Sequence, residues 1–232
     1  MPEIKESDKP LLSLQHLSFS AGIERKLLLD NITAQILAGD RIALSGVSGA
    51  GKSLLLRAIA LLEILTQGKI LWKGQAIPKT QIPNYRSRVI YLQQRPALGN
   101  GTVADCLQQV FSLKAHQDKT YSEIDINQYL NELELDNSFL DKNLQNLSGG
   151  EAQITALLRA IQLQPEILLL DEPTAAIDKN KTLAIEKMLD CWFKTPETSH
   201  ALIWITHDQA QAARVSNKHW QMKQGRLTNF IG

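Results

Sequence analysis

The stretch Arg41 to Leu56, RIALSGVSGAGKSLLL, constrains this chain more than any other: a short apolar strand, a glycine-rich turn, then an apolar-rich helix. Gly46, Gly51, Lys52 and Ser53 satisfy the spacing G-x-x-x-x-G-K-[ST], in which backbone N–H groups and the following helix N-terminus cradle phosphate oxygens. Gly46, Gly49 and Gly51 carry no Cβ, so the backbone is expected to close around a polyanion in conformations other residues resist. Lys52 brings a positive charge to β- and γ-phosphates, and the Ser53 hydroxyl is a hard oxygen suited to Mg²⁺. With Val47, Ser48 and Ala50 filling the loop and Leu54 opening the helix, the whole run is expected to line a phosphate site. A chance glycine-rich turn would leave the flanking strand and helix as coincidences.

Composition narrows the partners. The 232 residues can bury a full core. Because 25 basic residues balance 24 acidic ones, no global field favours nucleic acid or a membrane surface, and nucleic acid is not expected as a partner. Cys106 and Cys191 lie far apart with no zinc spacing around them, which reads as two reduced, structural thiols. Met1 to Pro10 is polar and charged where a signal peptide would be apolar, and the run Leu54 to Leu65 is interrupted by Arg57 and Glu63. A cytosolic location follows, unless a partner holds the chain at a membrane.

Apolar periodicity organises the rest. Residues 1–10 read as a disordered lead-in. Leu12 to Phe19 and Leu27 to Leu37 read as extended, Gly39-Asp40 as a turn, and Ile42 to Leu44 as a buried strand before the loop. The helix after the loop is expected to end near Leu65. Gly68 to Pro78 reads as a hairpin with Gly74 at its bend, and Arg88 to Gln93 as a short strand. Between Thr102 and Leu163 strand signal fades, while Val103 to Leu113, Ile124 to Leu135 and Gly150 to Leu163 carry helical spacings, a helical insertion over about residues 95–160. Strands resume at Ile167 to Leu170 and Leu202 to Ile205, with helices from Lys181 to Phe193 and Gln209 to Val215. The expected fold is α/β: a P-loop NTPase core with a mostly parallel sheet, an N-terminal antiparallel β subdomain and the helical insertion, all within one domain.

Two further motifs carry chemistry. Ile167 to Leu170 ends in Asp171-Glu172, and an apolar strand delivering two acids at its carboxyl end is how open α/β sheets present catalytic groups. Asp171 would support Mg²⁺ and Glu172 would orient or deprotonate an attacking water; the bland alternative is an acidic turn. In Leu147-Ser148-Gly149-Gly150-Glu151, a serine and two glycines precede a helical run and offer N–H donors, a hydroxyl and a helix dipole to an anion. A plain helix cap competes with that reading.

LSGGE at 147–151, between GVSGAGKS and ILLLDEP, resembles the signature of ATP-binding-cassette (ABC) ATPases, and the resemblance spans essentially the whole chain. It implies ATP and Mg²⁺ as ligands and a homodimer in which Ser148, Gly149 and Gly150 of one copy close over the γ-phosphate on the loop of the other. It also implies an integral-membrane permease that holds the dimer on the inner face of the cell membrane. Gln94, in YLQQRP, matches the family's glutamine that joins Mg²⁺ and the attacking water to that permease, with Gln93 as the adjacent alternative. Asp178, in AAID, matches the loop that reaches across the dimer, and His207, in WITHD, the histidine that contacts the γ-phosphate. Three positions depart from the pattern: Ala21 stands where an adenine-stacking aromatic is usual, with Phe19 two residues earlier; Ile154 follows Gln153 where arginine is common; Ala175 replaces a common serine. More finely, Tyr85 to Leu107 resembles the FetA-type iron-export cassettes, although Gly99 stands where they often have an aromatic. The function implied is the ATPase subunit of an ABC transporter, with metal export implied by the finer resemblance. The alternatives are a soluble ABC-type ATPase acting in assembly or regulation of a non-transport complex, and a P-loop kinase, which leaves LSGGE unused.

Overall fold

A computed structural model describes residues 9–22, 26–194 and 200–231, so the lead-in expected over residues 1–10 falls, as far as residue 8, outside the described residues. Contacts divide the chain into two units: one takes the chain up to Tyr91, Glu166–Asp171 and the chain from His200 onward; the other takes Leu92–Pro165 and the chain from Glu172 to Lys194.

In the first unit, β1 (Leu12–Ala21) pairs antiparallel with β2 (Lys26–Ile36) and, on its other edge, with β4 (Gln67–Trp72), which turns into β5 (Gln75–Ala76). Lys73 and Gly74 between them have φ of 50° and 79°, the doubly left-handed turn whose twist matches a two-residue hairpin. The second sheet has the order β10-β9-β3-β8-β7-β6. Its strands are β3 (Arg41–Ser45), β6 (Val89–Leu92), β7 (Ile167–Asp171), β8 (Ala201–Ile205), β9 (Lys218–Lys223) and β10 (Arg226–Ile231). β7, β8, β3 and β9 run parallel, and β10 returns antiparallel on β9. ILLLD and ALIWI are buried at every position, because a parallel strand covered on both faces needs a continuous apolar run. Leu44, Leu55, Ile59, Leu169 and Ile203 belong to the core between helix and sheet.

Helix α1 (Lys52–Ile59) stops well before Leu65, against the sequence expectation. Leu61 adopts φ 56° and accepts the chain reversal, while Leu62 N–H donates to Arg57 O and Leu61 N–H to Ala58 O. That is a Schellman ending, normally signalled by glycine and here made by a leucine. Two strands and one helix were also missing from the sequence reading. β9 has only Trp220 and Met222 as buried apolar residues in an otherwise polar strand, and α2 (Ile82–Arg88) buries only Tyr85 and Ser87. α7 (Gln209–Val215) lies where expected.

The second unit holds α3 (Val103–Gln109), α4 (Glu123–Glu132), α5 (Gly149–Ile161) and α6 (Lys179–Phe193). α3 and α4 are shorter than their apolar spacings imply, and 3₁₀ turns at Val110–Ser112 and Lys114–His116 take over after α3. Thr102, Ser122, Ser148 and Asp178 each cap a helix through the side chain, satisfying first-turn N–H groups. Val103, Leu107, Leu157 and Leu158 are fully buried where α3 and α5 pack. Both cysteines are free thiols, but only Cys106 is buried; Cys191 is exposed on α6, so it has no structural role in a core. No helix among the described residues is long and apolar enough to cross a membrane.

Candidate functional site

β3 ends at Ser45, the chain turns through residues 46–51, and α1 begins at Lys52 behind a left-handed Gly51 (φ 100°). The glycines of this loop serve different ends. A Cβ on Gly46 (φ 147°) would stand 2.3 Å from Met222 O, and one on Gly51 would stand 3.0 Å from Met222 Cε and 3.1 Å from Leu28 O. Gly49 (φ 75°) has open space around it. Packing against β9 and β2 therefore demands glycine at the two ends of the loop, and backbone conformation alone demands it in the middle. Lys52 is buried, its ammonium donating to Gly46 O at 2.8 Å and Val47 O at 3.2 Å. Its charge thus sits inside the turn of the loop, where a phosphate would be. Val47 and Ser48 are exposed at the tip, while Ala50 is buried and Leu54 packs on the core.

The strand-end acid is 118 positions away in sequence and adjacent in space: Ser53 Oγ donates to Asp171 Oδ1 at 3.0 Å. The other carboxylate oxygen, Oδ2, accepts from Tyr91 Oη at 2.9 Å. Asp171 is buried, so these two donors are what hold its charge out of water. Burial first, and the negative charge of Asp171 second, push the Tyr91 phenol well above its ordinary range, which keeps it a donor. A hydroxyl beside a carboxylate is a hard-oxygen pair of the kind Mg²⁺ takes, so Ser53 and Asp171 fit that ion. Sequence reasoning missed Tyr91; the only available signal was a polar-tipped aromatic in a short strand bound for the same sheet.

Beyond β8, Thr206-His207-Asp208 leads into α7. Asp208 caps that helix, accepting from Ala210 N at 2.8 Å and Gln211 N at 3.2 Å, and Thr206 Oγ1 donates to Gln211 Oε1 at 2.7 Å. This tightly bonded turn presents His207 to a cleft of about 350 Å³ that Ser45, Gly46, His219 and Gln221 also line. His207 is thus brought to the start of the phosphate loop. Phe19 packs against the core of the first unit, and Ala21 closes β1 opposite Lys26.

In the second unit, Glu172 is the residue after Asp171 and adopts φ 49°. A left-handed glutamate costs about 1 kcal/mol or more, a conformation it shares with Leu61 and Lys73. Gln94 Nε2 donates to Glu172 Oε2 at 3.0 Å, so Gln94 rather than Gln93 is the glutamine that reaches the acid. Ser148 caps α5 in a reciprocal box: its Oγ accepts from Glu151 N at 3.3 Å, and its N–H donates to Glu151 Oε2 at 2.9 Å. A Cβ on Gly149 or Gly150 would meet only contacts of 3.4 Å or more, so no described residue demands glycine there. What the missing side chains do is leave the first N–H groups of α5 open to close approach. Lys142 Nζ donates to Glu151 Oε1 at 2.5 Å. That bond, then the Ser148 N–H, draw the Glu151 carboxyl down to about 2. Asp178 caps α6, accepting from Lys181 N at 3.0 Å. Ile154, where the family commonly has arginine, is buried in the core, and Ala175 is exposed in the turn after Glu172.

A glycine-rich loop at the carboxyl end of a parallel strand, with an acid at the end of a second parallel strand, defines a P-loop NTPase core in an α/β protein. The ABC transporter family profile matches residues 29–175, and the chain belongs to that family of ATP-binding ATPase subunits. Among its relatives, a probable iron export ATP-binding protein, FetA, of Escherichia coli K12 is 34% identical over 204 residues, 88% of either chain. A phosphate import ATP-binding protein, PstB, of Thermotoga maritima is 31% identical over 234 residues, 96% of this chain and 90% of its own length. The fold is that of a dimeric ATP-binding cassette solved in a post-hydrolysis state with ADP and Pi (TM-score 0.81, 22% identity, covering 95% of this chain and 97% of that one).

Proposed function

We propose that two copies of this chain sandwich two Mg·ATP molecules, hydrolyse them, and drive a separate integral-membrane permease to which they bind at the inner face of the cell membrane. The observation that carries this reading is the division of chemistry between the units. The first supplies a phosphate loop, Lys52 and the Ser53–Asp171 pair; the second supplies Glu172 held by Gln94, and a Ser148-capped helix start whose glycines no contact among the described residues requires. In the hydrolysis step, loop N–H groups and Lys52 hold the phosphates, and Glu172 takes a proton from the water that attacks the γ-phosphorus as ADP leaves. His207 steadies the γ-phosphate, Gln94 orients Glu172, and Ser148, Gly149 and Gly150 of the second copy close over the same group, with Asp178 at that face. Ser53, Asp171 and Gln94 would hold Mg²⁺, which supplies charge neutralisation on the phosphoryl oxygens. Positioning and electrostatics then account for most of the rate.

The cargo we infer is a metal ion, exported, in keeping with the 34% identity to the probable iron export protein over 88% of both chains. The phosphate import relative matches as long a stretch at 31%, so the permease that co-purifies with this chain is the deciding observation. For the ATPase cycle, Glu172→Gln abolishes phosphate release while nucleotide binding persists, and this variant forms an ATP-dependent dimer on gel filtration that Ser148→Arg prevents. Phosphate release retained by Glu172→Gln removes that residue from its role, and a dimer indifferent to Ser148→Arg removes the composite site.

A further inference from the structure

The helix start that the proposed function turns toward a γ-phosphate carries a carboxylate of its own. Glu151 sits in the first turn of α5, with one oxygen on Ser148 N–H. The capping box stabilises the helix, but it also puts a full negative charge beside the N–H groups of Gly149 and Gly150, where an anion has to land. An uncompensated carboxylate there would repel the phosphate that the helix dipole attracts.

The compensating charge is already in place. Lys142 Nζ lies 2.5 Å from Glu151 Oε1, on the oxygen the cap does not use. Its placement is fixed by its surroundings. The Lys142 carbonyl accepts from Val103 N at 3.0 Å, and the ammonium stands 5.8 Å from the ring centroid of the buried Phe139. Lys142 thus approaches Glu151 from an ordered turn, and its own side chain is still 47% exposed.

We propose that Lys142 is a positioning residue of the nucleotide half-site on α5: by neutralising Glu151 it lets the capped helix start accept the γ-phosphate bound to a second copy of this chain. The proposal rests on the sandwich-dimer reading above. It separates two roles of Glu151, since the cap needs only an acceptor on Ser148 N–H whereas the anion site needs the charge cancelled. Glutamine at 151 would serve the first role with no charge to cancel.

The test uses the full chain carrying Glu172→Gln, so that ATP persists. ATP-dependent dimerisation is followed by sedimentation velocity, and monomer nucleotide affinity by calorimetry with Mg·ADP, which reads the phosphate loop alone. Lys142→Met weakens dimerisation about tenfold, equivalent to about 1.4 kcal/mol, with Mg·ADP affinity unchanged. Lys142→Arg keeps dimerisation, and adding Glu151→Gln to Lys142→Met restores it, because the double change leaves the helix start uncharged. The loss in Lys142→Met also shrinks as salt is raised, as a charge effect must and a folding defect would not. Unaltered dimerisation in Lys142→Met, or failure of Glu151→Gln to rescue it, overturns the assignment. If the parent Glu172→Gln protein binds Mg·ADP but does not dimerise with ATP, the sandwich reading itself falls and the role of Lys142 with it.

Discussion

Removing one oxygen, in Tyr91→Phe, tests whether Asp171 is held by the two donors the structure assigns to it. Asp171 is 6% exposed, and its oxygens are engaged one each by Ser53 Oγ at 3.0 Å and Tyr91 Oη at 2.9 Å. The substitution keeps the ring and its packing and deletes a hydrogen bond to a charged acceptor, which contributes about 1.5–3 kcal/mol. For a chain of 232 residues each kcal/mol moves the midpoint by about 2–4 °C, so a loss near 2 kcal/mol lowers Tm by about 4–8 °C. Tyr85→Phe is the matched control. Tyr85 is fully buried and donates to a neutral acceptor, Ile59 O, at 2.6 Å, so its loss costs about 1 kcal/mol, less than that of Tyr91. Thermal and urea denaturation followed by circular dichroism read both, and Ser53→Ala completes a cycle. Because Ser53→Ala with Tyr91→Phe strips the carboxylate of both donors, the double variant loses more than the sum of the singles. A Tyr91→Phe midpoint within about 1 °C of the parent, or an additive double variant, would refute the shared-carboxylate argument.

The loop glycines are separable by the same denaturation measurement. Gly46→Ala drives a Cβ to 2.3 Å from Met222 O and costs about 3 kcal/mol, whereas Gly49→Ala meets open space and costs about 1 kcal/mol for its φ of 75° alone. Equal losses would show that the crowding against β9 is relieved by a small shift. The Glu151 carboxyl, drawn from 4.5 to about 2 by Lys142 and the Ser148 N–H, contributes stability that is fully present above about pH 4.5 and is lost as pH falls through 2. Urea midpoints at pH 5 and pH 3 therefore fall further in the parent than in Glu151→Gln; parallel falls would mean the carboxyl is not held in this way.

What could be read from the sequence was what acts within a few residues. Backbone preference and spacing marked the phosphate loop, the continuous apolar runs of β3, β7 and β8, the hairpin bend at Gly74, and a helix start at Ser148, whose reciprocal box with Glu151 the structure then showed. Even locally the reading failed where an unusual residue took a special conformation, as Leu61 does in ending α1, or where a strand was mostly polar, as β9 is. Tertiary structure alone decided which distant groups share a job. Tyr91 and Asp171 are 80 positions apart and meet at the carboxyl ends of neighbouring strands; Gly46 is required by a carbonyl on β9; Lys142 reaches Glu151 from the end of a turn that buries Phe139. Local propensity is a sum of short-range preferences of a few tenths to one kcal/mol, and carries no information about which strand lies next to which. Sheet order and core packing decide that, and in this protein they determine how Asp171 is held, why Gly46 must be glycine and what neutralises Glu151.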